Sequence, residues 1–131
     1  MKLESRGGLL LVGLTIEFRG HTMMVDDLVV DTGAVQSLIS IDAVDGLDIA
    51  PEPEDECVFM RRIGGRELSL RKRVNAIRCD TYHSADVLLD FGQLAAHEGI
   101  NGLIGLDILE SGRFVIDLNA MQLRSMASSA K

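Results

Sequence analysis

Leu28-Val29-Val30-Asp31-Thr32-Gly33-Ala34 is the stretch on which the fold turns. Three apolar residues read as a short buried strand, and an aspartate follows them directly. A carboxylate at such a place costs on the order of several kcal/mol unless it is hydrogen-bonded or paired. The next three residues supply that relief. Thr32 offers a hydroxyl, Gly33 lets the backbone come close with its N–H aimed at the carboxylate, and Ala34 leaves room beside it. Together they describe a carboxylate held at a strand end, partly desolvated and provided with donors. Asp-Thr-Gly is also good turn chemistry, and by itself the tripeptide reads more readily as a turn than as a site. The surroundings have to decide.

Outward from this stretch the chain is a series of short strands. On the N-terminal side, Leu9 to Phe18 is rich in branched residues and closes at the turn Arg19-Gly20-His21. Thr22 to Val25 is its return strand, with Asp26-Asp27 at a surface turn. On the C-terminal side, Val35 to Ile39 resumes a strand pattern. Ser40 then caps a helical turn over Ile41 to Leu47 that ends at Gly46. Pro51-Glu52-Pro53-Glu54-Asp55-Glu56 is an acidic loop whose prolines forbid a central strand. Cys57 to Met60 and Glu67 to Leu70 form two arms of a hairpin. Its tip, Arg61-Arg62-Ile63-Gly64-Gly65-Arg66, carries paired glycines suited to a tight turn. Val74 to Ile77 and Val87 to Leu89 are further strands. Leu103-Ile104-Gly105 is apolar and precedes a helical turn over Asp107 to Ser111. Phe114 to Leu118 and Met121 to Leu123 make a closing hairpin. Many short strands with brief helices predict an all-β barrel or sandwich.

Composition narrows the function classes. The chain has 131 residues, 47% of them hydrophobic and 25% charged, which is ordinary globular usage and suits one domain. The domain spans residues 1–124, and a small polar tail from Ser125 to Lys131 is expected to be disordered. A net charge of −7 argues against nucleic acid and anionic membrane surfaces as partners. No stretch approaches the roughly 18 apolar residues of a membrane span. Leu9 to Leu14 is too short for a signal peptide and runs into strand-like alternation. The expectation is a soluble, cytoplasmic protein. Cys57 and Cys79 are too few for a disulfide framework and are expected as half-buried thiols in a reducing compartment. Their spacing to His21, His83 and His97 fits no zinc pattern. Asp86, Asp90, Glu98, His83 and His97 are scattered and read as surface residues, so no metal and no cofactor is expected. Gly99 to Gly105 lacks the Lys-Ser/Thr of a phosphate-binding loop. Ser37 and Ser40 have no triad-like histidine.

Three markers, in order, tie these pieces together: the apolar run into Asp31-Thr32-Gly33-Ala34, the glycine tip Ile63-Gly64-Gly65, and Leu103-Ile104-Gly105 followed by Asp107 and Leu109. From about Leu9 to Arg124 the chain resembles the retropepsin-like aspartic proteases. These are single-lobe relatives of pepsin that include retroviral proteases and bacterial cellular homologues. The resemblance implies a closed or partly open acid-protease-like barrel with one short C-terminal helix. It makes Asp31 the catalytic aspartate. Thr32 would link two active-site loops through its side chain, Gly33 would give a close backbone donor, and Ala34 would complete the loop. Ile63, Gly64 and Gly65 would lie at a flap that closes over a peptide. Leu103, Ile104 and Gly105 would pass beneath the active-site loop and support it. Asp107 reads as a helix-start or ion-pair residue, with Arg113 as a candidate partner.

The family's chemistry needs two carboxyl groups. One takes a proton from water while the other, protonated, hydrogen-bonds to the scissile carbonyl. Two such groups about 3 Å apart share a proton and titrate as a pair. The chain holds one Asp-Thr-Gly. The second carboxylate would therefore come from a second copy across a two-fold axis. The implied function is an aspartic endopeptidase that hydrolyses polypeptides as a homodimer. The alternative is a non-catalytic domain of the same fold that serves dimerisation or peptide binding, and a further one is a β scaffold in which Asp-Thr-Gly is only a turn. Ala34 lacks the hydroxyl that pepsin-like lobes often place there, which predicts a milder acid optimum than pepsin's. Arg61, Arg62 and Arg66 make the hairpin tip basic. They would suit acidic substrate residues or this chain's own Glu52 to Glu56.

Overall fold

The computed structural model describes residues 1–62, 65–94 and 99–127. Among the described residues the strands are β1 (Glu4–Arg6), β2 (Leu9–Phe18), β3 (His21–Val30), β4 (Leu38–Ser40), β5 (Glu56–Arg62), β6 (Gly65–Cys79), β7 (Tyr82–Gly92), β8 (Gly102–Ile104), β9 (Phe114–Asp117) and β10 (Gln122–Ser125). A 3₁₀ helix covers Asp42–Leu47, and the helix α1 covers Leu106–Ser111. Eight strands form one sheet in the order β1-β2-β3-β8-β4-β7-β6-β5, and β2 also pairs with β6. That last pairing closes β2, β3, β8, β4, β7 and β6 into a barrel. β1 and β5 hang from it at either end.

β2 makes closure possible by changing partners along its length. Its first residues pair with β1, Leu9 opposite Arg6, and its last pair with β6, Ile16 opposite Ile77. Mirror-type turns with positive φ at both central residues, Gly7-Gly8 and Arg19-Gly20, join β1 to β2 and β2 to β3. Leu14, Ile16, Leu28, Ile39 and Ile104 are solvent-free inside the barrel. Burial of each such side chain contributes roughly 1.5–3 kcal/mol.

Asp26 and Asp27 do not form a surface turn. They sit inside β3, where two residues, Asp26 and Asp27, between the paired Val25 and Leu28 oppose the single Gly13 between Val12 and Leu14 of β2. This is a β-bulge, with Asp27 at φ 61. The extra residue shifts the strand's phase, so both Val25 and Leu28 point inward. Asn101 holds the bulge by donating its backbone N–H to Asp27 O at 2.9 Å and its side-chain N–H to Asp26 O at 2.9 Å. The bulge thus sets which way β3 faces when it delivers Asp31.

Other expectations are corrected in detail. Val74 to Ile77 and Val87 to Leu89 are pieces of one long β6–β7 hairpin. Ser40 ends β4 and caps nothing; the 3₁₀ helix starts after Ile41 and closes at left-handed Asp48, with Gly46 inside it. Ser125 opens no frayed tail: it pairs with Phe114 and donates its hydroxyl to Gly112 O. Residues 128–131 lie outside the described residues. The first residues of the chain lie along β10, with Leu3 N donating to Met121 O and Leu123 N to Met1 O. The two cysteines differ from each other: Cys57 is exposed and Cys79 is buried. Burial pushes the Cys79 thiol up to about 12. No described helix is long and apolar enough to cross a membrane.

Candidate active site

Asp31 is the first residue beyond β3. Its backbone N–H donates to Ile104 O of β8 at 2.9 Å, so the strand pairing of β3 and β8 runs up to the residue itself. The chain then turns sharply, with Ala34 N donating to Asp31 O at 3.2 Å. Inside that turn Gly33 N donates to Asp31 Oδ1 at 2.9 Å. A Cβ at Gly33 would lie 3.3 Å from the same oxygen, so glycine suits this approach. Asp31 and Ala34 are half-buried, whereas Thr32 and Gly33 are exposed. Val35, an apolar residue, is 75% exposed on the same loop.

The loop rests on the segment that joins β8 to α1. Leu106 N donates to Ala34 O at 2.8 Å and Asp107 N to Val35 O at 3.2 Å. Gly105 is the point of closest approach: a Cβ there would stand 2.7 Å from Ala34 O and 3.0 Å from Gln36 C. Leu103 pairs with Val29 and Leu38, and Ile104 with Val30. Leu103, Ile104 and Gly105 therefore meet the Asp31 loop from below.

Asp107 and Arg113 are not brought together as partners. Asp107 lies in the first turn of α1, and its Oδ1 accepts from Ser37 Oγ at 2.7 Å and Ser37 N at 3.0 Å. Ser37 Oγ in turn accepts from Gly105 N at 2.9 Å. Arg113 is at φ 47 just past α1, where its backbone N–H donates to Glu110 O. Ser37 is the residue that sequence reasoning missed. A serine six residues after Asp31 carries no signal unless the fold is known to return α1 beneath it.

Ile63 and Gly64 lie outside the described residues. Gly65 opens β6 opposite Arg62 of β5. The side chains of Arg61, Arg62 and Arg66 are likewise outside the described residues. Glu52 and Asp55 of the acidic loop have a basic partner elsewhere: both accept from Lys72 Nζ. Asp90 is no surface residue. It is 3% exposed and takes a two-pronged bond from Arg71, Nε to Oδ1 at 2.8 Å and Nη2 to Oδ2 at 3.2 Å. That bond holds the Arg71 guanidinium above its ordinary range despite burial. Two surface recesses, one lined by Glu4, Val12 and Asp27 and the other by Thr15, Arg78 and His83, lie away from Asp31.

A carboxylate with one oxygen fixed by a backbone N–H, on an exposed loop braced from beneath, can exchange a proton with water or with a facing acid. It can polarise a carbonyl only when protonated. A single chain supplies one such group.

Residues 14–108 match a family model described as aspartyl protease. No curated protein matches the chain in sequence. Among solved structures the chain is similar to a retropepsin-like aspartic protease from Rickettsia conorii, with a TM-score of 0.59, 16% identity, and coverage of 88% of this chain and 82% of that one. It is also similar to the retroviral protease-like domain of Ddi1 from Leishmania major, with a TM-score of 0.61, 19% identity, and coverage of 92% and 90%. At these identities the likeness is one of fold: the all-β retropepsin-like barrel with one short helix.

Proposed function

Because the chain belongs to the aspartyl protease family, we propose that it is an endopeptidase whose active centre is completed by two copies, each contributing Asp31. The observation that carries this reading is the Asp31 loop itself. Its carboxylate is oriented by Gly33 N–H, its backbone is bonded to β8 and α1, and its outer face, Thr32 to Val35, is largely open. One Asp-Thr-Gly per chain supplies half of the required pair. A two-fold axis beside the loop would set the two carboxyl groups against each other, and the exposed Val35 would be covered by the second copy.

In the paired site one Asp31 carboxylate removes a proton from water. The other, protonated, hydrogen-bonds to the scissile carbonyl. Water attacks the carbon and forms a tetrahedral diol, and proton transfer to the amide nitrogen releases the amine. No covalent enzyme intermediate is needed. β5 ends the sheet, so its outer edge can pair with an extended polypeptide.

The test is Asp31→Asn, assayed against unfolded polypeptide at mildly acid pH together with sedimentation to follow dimer formation. The variant keeps the wild-type dimer and loses cleavage, and a statine-type peptide blocks the wild type. Cleavage that survives in Asp31→Asn, or a wild type that stays monomeric while cleaving, overturns the proposal. A protein that binds peptide equally well with Asp31→Asn and never cleaves is the non-catalytic binding domain instead.

A further inference from the structure

Lys72 occupies a core-facing position of β6, two residues before the buried Val74, and its side chain is 3% exposed. An unpaired ammonium there would be strongly disfavoured. Its partners come from the loop that precedes β5. Nζ donates to Glu52 Oε1 and to Asp55 Oδ2, each at 2.6 Å, and stands 5.7 Å from the centre of the Phe18 ring. The loop is also bonded to itself, with Asp55 N donating to Glu52 O at 3.0 Å and Glu52 N to Asp55 Oδ2 at 2.8 Å. Arg19 bonds the same Glu52 oxygen and lies over the Phe18 ring, 4.7 Å from its centre. Two cations and two carboxylates thus close a neutral cluster around one aromatic ring.

The place of the cluster gives it a mechanical meaning. Asp55 is followed at once by Glu56, the first residue of β5, which pairs with Arg71 beside Lys72. Arg71 is itself tied to buried Asp90 on β7. Successive residues of β6 therefore clamp the base of the β5–β6 hairpin, one to the incoming loop and one to the neighbouring strand. Beyond this base β5 has β6 as its sheet partner and lies at the end of the sheet.

We infer that Lys72 is a positioning residue for the β5–β6 hairpin: by pinning Glu52 and Asp55 it sets the angle at which the hairpin leaves the barrel, and so how the hairpin meets an extended substrate. The effect on catalysis rests on the proteolytic reading above; the mechanical effect does not.

The experiment compares Lys72→Met, which keeps an unbranched apolar stem, with the double variant Glu52→Gln/Asp55→Asn, which keeps Lys72 and removes both charges it binds. Amide hydrogen exchange is read on β5 and the first half of β6 against β2 and β3. Both variants exchange about tenfold faster in the hairpin with β2 and β3 unchanged, as local opening requires. With a cleavable peptide, KM rises about tenfold while kcat stays within about threefold, the mark of lost substrate binding. Exchange in the hairpin that matches wild type in either variant overturns the inference. So does acceleration spread evenly over the barrel, since that is general destabilisation. If wild type cleaves nothing, the exchange result still decides the role of Lys72, and only the proteolytic reading falls.

Discussion

Replacing Gly105 by alanine puts a methyl group where the Asp31 loop already is. The added carbon would stand 2.7 Å from Ala34 O, 3.0 Å from Gln36 C and 3.1 Å from Gln36 O, whereas ordinary contact begins at 3.4 Å. All three neighbours are backbone atoms, so no rotamer change relieves the clash. Ala34 O is also the acceptor for Leu106 N at 2.8 Å, and moving it away stretches that bond. Relief requires a displacement of about 0.7 Å between the two segments (3.4 minus 2.7), and overpacking of this kind costs about 1–3 kcal/mol. For a domain of this size that lowers Tm by roughly 4–12 °C. The displaced loop carries the Asp31 carboxylate, and a misplacement approaching 1 Å costs about 10- to 100-fold in rate. The assay pairs thermal melting by circular dichroism with cleavage of an unfolded polypeptide. Gly46→Ala is the control, since its methyl would meet the flexible end of Met23 at 3.3 Å. A Gly105→Ala protein that melts and cleaves like wild type refutes the claim that Gly105 braces the loop.

Two further outcomes follow from the same geometry. Ser37→Ala removes the hydroxyl bonded to Asp107 Oδ1 and leaves Gly105 N–H buried without its acceptor; chemical denaturation is expected to show a loss of about 1–3 kcal/mol, and an unchanged midpoint would show the hydroxyl to be dispensable. The bond to Lys72 holds both Glu52 and Asp55 below the usual carboxylate range, with Arg19 adding to the effect on Glu52. Their folded values lie below their unfolded ones, so their stabilisation is complete above about pH 5 and is lost as pH falls through the unfolded and then the depressed range. Melting temperature followed from pH 7 to acid should therefore show wild type and Lys72→Met furthest apart at neutral pH and converging on acidification; a constant gap would dissociate the cluster from acid stability.

Much of the barrel could be read directly from residues. β2 keeps the bounds expected of it, Leu9 to Phe18, because alternation and branched side chains need no tertiary partner to be recognised. The Arg19-Gly20 turn and the closing hairpin after Gly112 were legible for the same reason. Where the expectation failed, a long-range contact was responsible. Asp26-Asp27 has turn composition but is a bulge, because Asn101 supplies bonds that hold the extra residue in the strand. Asp90 looks like a surface acid in the run Leu88-Leu89-Asp90-Phe91, yet Arg71 on the facing strand lets it be buried. Lys72 is hidden in the basic run Arg71-Lys72-Arg73, where composition cannot tell which cation faces inward.

By itself the sequence determined that an aspartate would stand at the end of an apolar strand with a glycine donor two residues on, and that a chain of this composition would fold as short strands. Both are local facts: hydrophobic periodicity and the reach of one backbone N–H specify them. Tertiary structure alone decided that Ser37 joins Asp107 beneath the Asp31 loop, how closely Gly105 approaches Ala34, and that Lys72 grips the loop before β5. Each of those contacts joins residues that lie far apart along the chain, and only closure of the barrel brings them within bonding distance.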